Sequence, residues 1–138
     1  MKALVQRVTR ASVSVDGQEV AAIGPGLLVF LGVATEDGPA AADKLASKVR
    51  ALRVFDDAEG RMNEPLGDRE VLCVSQFTLM ADTRKGNRPG YSGAARPEDA
   101  EPLYELFRDC LGAKGGVFGA RMAVELVNDG PVTLLLEA

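Results

Sequence analysis

The chain contains no histidine and no tryptophan, and only two cysteines among its 138 residues. Without histidine, a Ser-His-Asp triad, a Cys-His pair and a histidine-ligated zinc site are all excluded. Cys73 and Cys110 form no CxxC motif, and two cysteines cannot make a Cys₄ site. We therefore expect two reduced structural cysteines and no bound metal. A general base would have to be a carboxylate, a lysine, a tyrosine or a group of the substrate.

Long apolar runs are also missing. No stretch approaches the ~20 residues that a membrane helix needs, and Gln6 and Arg7 interrupt the segment where a signal-peptide core would lie. These absences predict a cytoplasmic location and no membrane partner. The length predicts one domain over residues 1–138, large enough to bury a core. A net charge of −4 argues against broad nonspecific nucleic-acid binding but leaves room for a local contact.

Strands dominate the predicted secondary structure. Alternating residues over 2–9 and 12–15 predict two strands, and the continuous apolar run Leu27–Val33 predicts a strand covered on both faces. Near the end of the chain, Asn128–Pro131 is typical of a turn between strands over 122–127 and 132–136. With roughly seven strands and two helices, the pattern predicts a mostly antiparallel α/β (α+β) fold.

Two amphipathic segments predict the helices. The first begins near Pro39, with Thr35 or Asp37 as its cap. The second begins at 96–100 and ends at Gly112. The spacing of apolar residues predicts the buried stripes, which are Ala42, Leu45, Ala46, Val49 and Leu52 in the first helix and Leu103, Leu106, Phe107, Cys110 and Leu111 in the second.

Chemistry-bearing residues follow the apolar strand Val71–Val74. Ser75, Gln76 and Thr78 stand at its end, and the window 83–97 carries four cationic residues and no acidic one. A buried strand that delivers polar groups into a cationic loop suits an anionic substrate. The same pattern also fits a strand end capped by a Ser/Thr turn and a solvated basic loop.

Three stretches together are far more specific. They are Ser75-Gln76-Phe77-Thr78-Leu79, the loop 82–89, and Asn128-Asp129-Gly130-Pro131-Val132-Thr133. On these motifs the chain closely resembles D-aminoacyl-tRNA deacylases of the bacterial and eukaryotic type, over essentially its whole length. Two departures are modest: Gly90-Tyr91 stands where the family usually has a small polar residue followed by Phe, and the segment 64–69 is short.

The resemblance implies a barrel-like sheet with two helices, a homodimer, aminoacylated tRNA as the partner and no cofactor. It implies hydrolysis of D-aminoacyl-tRNA and glycyl-tRNA, with a Gly-cisPro motif from the partner subunit rejecting the L form. Carried over, the catalytic segment is Ser75, Gln76, Phe77 and Thr78; the filter is Gly130 and Pro131, supported by Arg7, Asn128 and Thr133; and tRNA contacts fall on Phe118, Gly119, Ala120, Arg84, Lys85 and Arg88.

The residue types leave the chemistry open at one point. Thr78 is a poor nucleophile without a base, so we expect backbone N–H groups near Phe77 and Thr78 to hold the oxyanion, with help from the tRNA 2′-hydroxyl. Thr78 as acyl acceptor is the alternative.

A non-catalytic RNA-end or nucleotide-binding module is a second class of function, and a metal-dependent hydrolase is disfavoured by the missing histidines. Arg7 alone would suggest an ordinary surface arginine, and Gly130-Pro131 alone a hairpin turn.

Overall fold

A computed structural model of the chain describes residues 1–138. It contains eight β-strands, two α-helices and one short 3-10 helix, Phe77–Met80. The strands are β1 Lys2–Val15, β2 Gln18–Ile23, β3 Gly26–Gly32, β4 Phe55–Asp56, β5 Met62–Glu64, β6 Glu70–Ser75, β7 Lys114–Gly115 and β8 Ala123–Glu137; the helices are α1 Pro39–Ala51 and α2 Pro97–Leu111. No helix is long and apolar enough to cross a membrane.

The long strand β1 organises the sheet. Along one edge its first half pairs with β3 and its second half with β2, and along the other edge it pairs with β8, all antiparallel. Beyond β3 the sheet continues through β6 and β7, which pair in parallel. Lys114 of β7 donates to the carbonyl of Ala22 on β2 at 2.9 Å, so the two ends of the sheet meet. The predicted barrel-like, mostly antiparallel sheet with two helices is confirmed.

The core lies on both faces of this curled sheet. Leu27, Val29 and Leu31 of β3 pack in one cluster with the buried residues of both helices. Leu28, between them in sequence, belongs to a second cluster formed by apolar residues of β1, β2, β3 and β6. Because successive side chains of a strand point to opposite faces, β3 is buried on both sides, as its apolar run predicts.

Two strand predictions need correction. The two strands expected over 2–15 are one continuous strand, and the turn expected at Asn128–Pro131 is part of a bulge inside β8, between the paired residues Asn128 and Thr133. Between the pairs Gln6–Thr133 and Val8–Asn128, one residue of β1 faces four residues of β8. Turn-type residues occur at bulges as well as at chain reversals, and the local sequence does not distinguish the two.

The helix predictions need smaller corrections. Gly38 occupies the N-cap of α1, while the Asp37 carboxylate accepts from the Ala34 N–H at 2.7 Å. Cys110 is exposed, although its spacing placed it on the buried face of α2. Tyr104 takes the buried place instead, and Leu103 and Leu106 are only partly buried. The predicted end of α2 is confirmed, since Gly112 follows it with a left-handed φ of 61°.

Candidate active site

Strand β6 ends at Ser75, and the chain turns at once into the 3-10 helix. The Gln76 N–H donates to the carbonyl of Leu31 at 2.7 Å, which extends the parallel pairing with β3 by one residue. The N–H groups of Phe77 and Thr78 then begin the 3-10 helix, so they have no intrahelical acceptor, and the side chain of the N-cap residue Gln76 does not cap them. Two adjacent free N–H groups at a helix start form a donor site for an anionic oxygen.

A cleft of about 580 Å³ opens beside this turn. It brings together two of the predicted site segments, since Ser75, Gln76 and Phe77 line one side and Phe118, Gly119 and Ala120 line another. The remaining walls are mostly apolar and come from Val33, Val74 and the segments 91–100 and 122–124. A concave, mostly apolar cleft with a few convergent polar groups is the usual form of a small-molecule or nucleoside site.

The Thr78 side chain is exposed and does not line the cleft. Its hydroxyl accepts a hydrogen bond from the Gln76 amide at 2.5 Å. An amide cannot take a proton from a hydroxyl at neutral pH, so this neighbour does not activate Thr78 as a nucleophile. Nor is any group of three or more Cys, Asp or Glu side chains placed to hold a metal ion.

Tyr104 ties the cleft to helix α2. Its hydroxyl donates to the carbonyl of Cys73, two residues before Ser75, at 2.8 Å. Its ring lies against the ring of Phe118, with 6.0 Å between their centroids. Burial raises the pKa of Tyr104 to about 12. One buried side chain thus contacts the elements on two sides of the cleft.

Arg7 holds the bulge of β8, and it is the one buried charged residue, 7% exposed. Its guanidinium donates to the carbonyls of Val54 at 2.6 Å, Asp129 at 3.1 Å and Gly130 at 3.3 Å. The Asp129 carboxylate also lies 3.1 Å from Arg7 Nε. These bonds connect Val54, the residue before β4, to the bulge, and they satisfy the Asp129 and Gly130 carbonyls inside the interrupted ladder.

Other predicted support residues surround the same bulge. The Asn128 amide donates to the carbonyls of Arg7 at 2.9 Å and Val132 at 3.1 Å, and so closes the bulge at its base. Thr133 Oγ1 accepts from the Gln6 amide at 3.2 Å. The peptide bond between Gly130 and Pro131 is cis, and both residues are exposed.

The bulge and the cleft do not meet within one chain. Arg7 pairs with Leu27 of β3, which pairs with Val71 of β6, so the bulge is level with the start of that strand. Ser75 is four residues further on, roughly 13 Å along the strand axis at the usual rise per residue. Neither Gly130 nor Pro131 lines the cleft.

The predicted cationic loop leaves the fold next to the cleft. Asp82 and Gly90 exchange two backbone hydrogen bonds of 2.8 and 2.9 Å, and residues 83–89 project from that pairing. Arg84 is bound to the Asp82 carboxylate at 2.7 Å, and this pairing holds the pKa of Asp82 below its usual range. Lys85 and Arg88 are exposed and take part in no salt bridge, so their charges face solvent.

Comparisons with known proteins agree on one family. The family model described as D-Tyr-tRNA(Tyr) deacylase matches residues 4–137. A D-aminoacyl-tRNA deacylase of Opitutus terrae is 56% identical, over 100% of this chain and 97% of its own. The chain belongs to the D-aminoacyl-tRNA deacylase family.

Solved structures extend the comparison. The structure of a c-Myc DNA Unwinding Element Binding Protein matches with a TM-score of 0.95 and 44% identity, over 100% of this chain and 99% of that chain. A probable eukaryotic D-amino acid tRNA deacylase shares the fold, with a TM-score of 0.84 and 16% identity over 99% of this chain and 98% of that chain.

Two tyrosines had no functional prediction from sequence, one behind the wall of this deacylase-family cleft and one in its lining. Tyr104 gave no signal beyond helical spacing, because an aromatic residue on an amphipathic helix is normally core. Tyr91 lines the cleft, but in the sequence it stands out only as a departure from the family pattern. An aromatic residue inside a loop otherwise rich in Arg, Lys and Gly was the available signal.

Proposed function

We propose that this chain hydrolyses the ester bond of D-aminoacyl-tRNA and of glycyl-tRNA, releasing the amino acid and free tRNA in the cytoplasm. The observation that carries the proposal is the pair of N–H groups of Phe77 and Thr78, which begin an uncapped 3-10 helix beside the cleft and so have no intrahelical acceptor. Ester hydrolysis passes through a tetrahedral intermediate with a developing oxyanion. Donors aimed at that oxygen in a largely apolar site are usually the largest catalytic contribution.

The terminal adenosine occupies the cleft against Phe118, Gly119 and Ala120, and the ester carbonyl points to the N–H groups of Phe77 and Thr78. Water is the nucleophile. No histidine is present to activate it, so the ribose 2′-hydroxyl beside the ester orients the water and accepts its proton as the water oxygen bonds to the carbonyl carbon. The same hydroxyl passes a proton to the ribose oxygen that leaves when the ester C–O bond breaks. The protein positions the substrate and stabilises the developing charge, and the RNA supplies the 2′-hydroxyl that assists the attacking water.

A second copy of the chain supplies the chiral filter. The roughly 13 Å along the strands between the bulge and Ser75 prevents one chain from presenting Gly130-Pro131 to its own cleft. The Gly130-Pro131 backbone of the partner pairs with the substrate amino group and excludes a side chain projecting in the L direction. Glycine passes because it has no side chain to exclude.

Strand β8 favours such a homodimer. It pairs with β1 along one edge, and its other edge is free over a strand of 15 residues. Val127, Leu134 and Leu135 of this strand are exposed. A long exposed strand edge with apolar side chains is normally covered by another chain. The bulge interrupts this same strand, so it lies close to any contact that β8 makes.

Matched D- and L-aminoacyl-tRNA, with glycyl-tRNA alongside and chelator present, test the proposal. We expect hydrolysis of the D and glycyl esters with the L ester spared. Binding to the acceptor end should weaken as salt is raised, because Lys85 and Arg88 replace counterions at phosphates. Hydrolysis of the L ester at the D rate would contradict the filter, and loss of activity with chelator would contradict metal independence.

A nucleic-acid-binding module without catalysis is the second candidate. It is favoured by the 44% identity to a structure named for binding a DNA unwinding element and by the exposed cations of the 83–89 loop. Retention of intact aminoacyl-tRNA without release of any amino acid would establish it in place of the deacylase.

A further inference from the structure

Two aromatic rings stand exposed at the mouth of the cleft. Phe77 is 55% exposed and Tyr91 is 39% exposed, and both line the cleft. Their ring centroids are 5.1 Å apart with the planes at 65°, an edge-to-face pair. Single exposed apolar residues are common and need no explanation. A pair of rings in contact with each other at the rim of a cleft is a more specific arrangement.

The backbone on both sides of Tyr91 is fixed. Gly90 exchanges two hydrogen bonds with Asp82, and the Ala94 N–H donates to the Tyr91 carbonyl at 3.0 Å. Ala94 in turn bridges to Ala34, which follows β3. The backbone that carries the ring is therefore held between two points of the fold and is not a free loop tip. A preorganised ring loses little conformational entropy when a ligand stacks on it.

The pair also lies between the cleft and the cationic loop. Tyr91 directly follows Gly90, where the 83–89 loop returns to the fold, and Phe77 lies two residues after Ser75, the end of the strand that lines the cleft. An RNA strand whose last nucleoside fills the cleft must pass these rings before its phosphates reach Lys85 and Arg88. Unpaired bases stack on exposed aromatic rings next to a cationic groove.

We propose that Phe77 and Tyr91 form a second base site, which stacks the unpaired base immediately upstream of the terminal adenosine. This inference rests on the proposed function, since it takes the RNA 3′ end as the occupant of the cleft. It assigns the aromatic pair to recognition of a chain longer than one nucleoside. The substrate is then distinguished from a free aminoacyl-adenosine by stacking, in addition to the phosphate contacts of the cationic loop.

The test compares two substrates with two variants of Tyr91. Wild type, Tyr91→Leu and Tyr91→Phe are assayed on D-aminoacyl-tRNA and on D-aminoacyl-adenosine, which lacks the upstream base. For Tyr91→Leu we expect kcat/KM on the tRNA to fall roughly 10-fold more than on the adenosine ester, the order of one lost base–aromatic stack. Tyr91→Phe keeps the ring and should stay close to wild type on both substrates.

A binding measurement separates this inference from the proposed activity. An RNA ending in CCA is labelled with 2-aminopurine in place of the penultimate base, and its fluorescence is titrated with protein. Quenching by wild type and Tyr91→Phe, but not by Tyr91→Leu, supports the stack even in a protein that hydrolyses nothing. Equal losses of kcat/KM on both substrates, or equal quenching by all three proteins, would overturn it.

Discussion

The guanidinium of Arg7 donates to the carbonyl oxygen of Gly130 at 3.3 Å, across the widest register break in the sheet. Two more of its N–H groups reach the carbonyls of Val54 and Asp129. The Arg7 side chain therefore holds the Gly130-Pro131 backbone in place, together with the Asn128 amide that closes the bulge at its base. In the proposed enzyme, the Gly130-Pro131 backbone must be held in this position to reach the cleft of the partner subunit.

Replacing Arg7 by lysine tests that role. The ammonium of lysine lacks the planar fork that reaches three carbonyls in different directions, so some of them stay unpaired. We expect a stability loss of about 1–3 kcal/mol for the buried carbonyls left without donors, and a fall in D-aminoacyl-tRNA hydrolysis of at least about 10-fold. Urea unfolding and initial rates measure the two effects. Full activity in Arg7→Lys would show that the bulge needs no such support.

Gly130→Ala separates folding from function at the bulge. A Cβ at Gly130 would meet only the Asn128 Oδ1, at the ordinary contact distance of 3.8 Å. The isolated chain can therefore accept it, and we expect an unchanged melting temperature with reduced hydrolysis of the D ester. Gly38→Ala is the matched control, since a Cβ there meets nothing within 4 Å. Unchanged hydrolysis of the D ester together with continued rejection of the L ester would remove Gly130 from the filter.

Thr78→Val distinguishes the two chemistries that the sequence left open. It deletes the hydroxyl that accepts from Gln76 but keeps the β-branched shape and the backbone N–H. If the N–H groups hold the oxyanion, turnover should stay within about threefold of wild type. The measurement is single-turnover release of amino acid from D-aminoacyl-tRNA. Complete loss of release by a folded variant would favour Thr78 as acyl acceptor.

Tyr104→Phe predicts a change in stability at high pH. Burial raises the Tyr104 pKa from 10.0 to about 12, so the folded state keeps a proton that the unfolded state has lost between these values. The stabilisation is fully present below pH 10 and is lost as pH rises towards 12. The stability difference between wild type and Tyr104→Phe should therefore shrink over this window in urea titrations. A constant difference from pH 8 to 12 would contradict the burial of the phenol.

The sequence predicts secondary structure best where a single local pattern determines the element. Apolar runs and alternation predict β3 and β6, because buried strand positions select apolar side chains. Gly112 predicts the end of α2, because the left-handed backbone there favours glycine. The bulge at 129–132 was missed because Gly, Pro, Asn and Asp favour any break in regular pairing. Only the partner strand determines whether such a break reverses the chain.

The candidate site also has parts that local sequence predicts and parts that it does not. The polar end of β6 was visible locally, but its meeting with Phe118–Ala120 joins segments about forty residues apart, and no local pattern implies it. Only the family resemblance suggested it. The roles of Tyr104 and Tyr91 were not predicted, because an aromatic residue gives the same sequence pattern whether it packs in the core, links two elements or stacks on a ligand. Their roles depend on neighbours that the fold brings together.

Subunit complementation tests most directly whether the active site is shared between two copies. Ala120→Glu obstructs the cleft but keeps the Gly130-Pro131 motif, whereas Gly130→Ala alters the motif but keeps the cleft. Each homodimer should be impaired. In a co-expressed random mixture, half of the dimers are mixed and each has one intact site, so activity should recover to about a quarter of the wild-type value. Activity no higher than the mean of the two parents would contradict the account, because it would place the motif at its own chain's cleft.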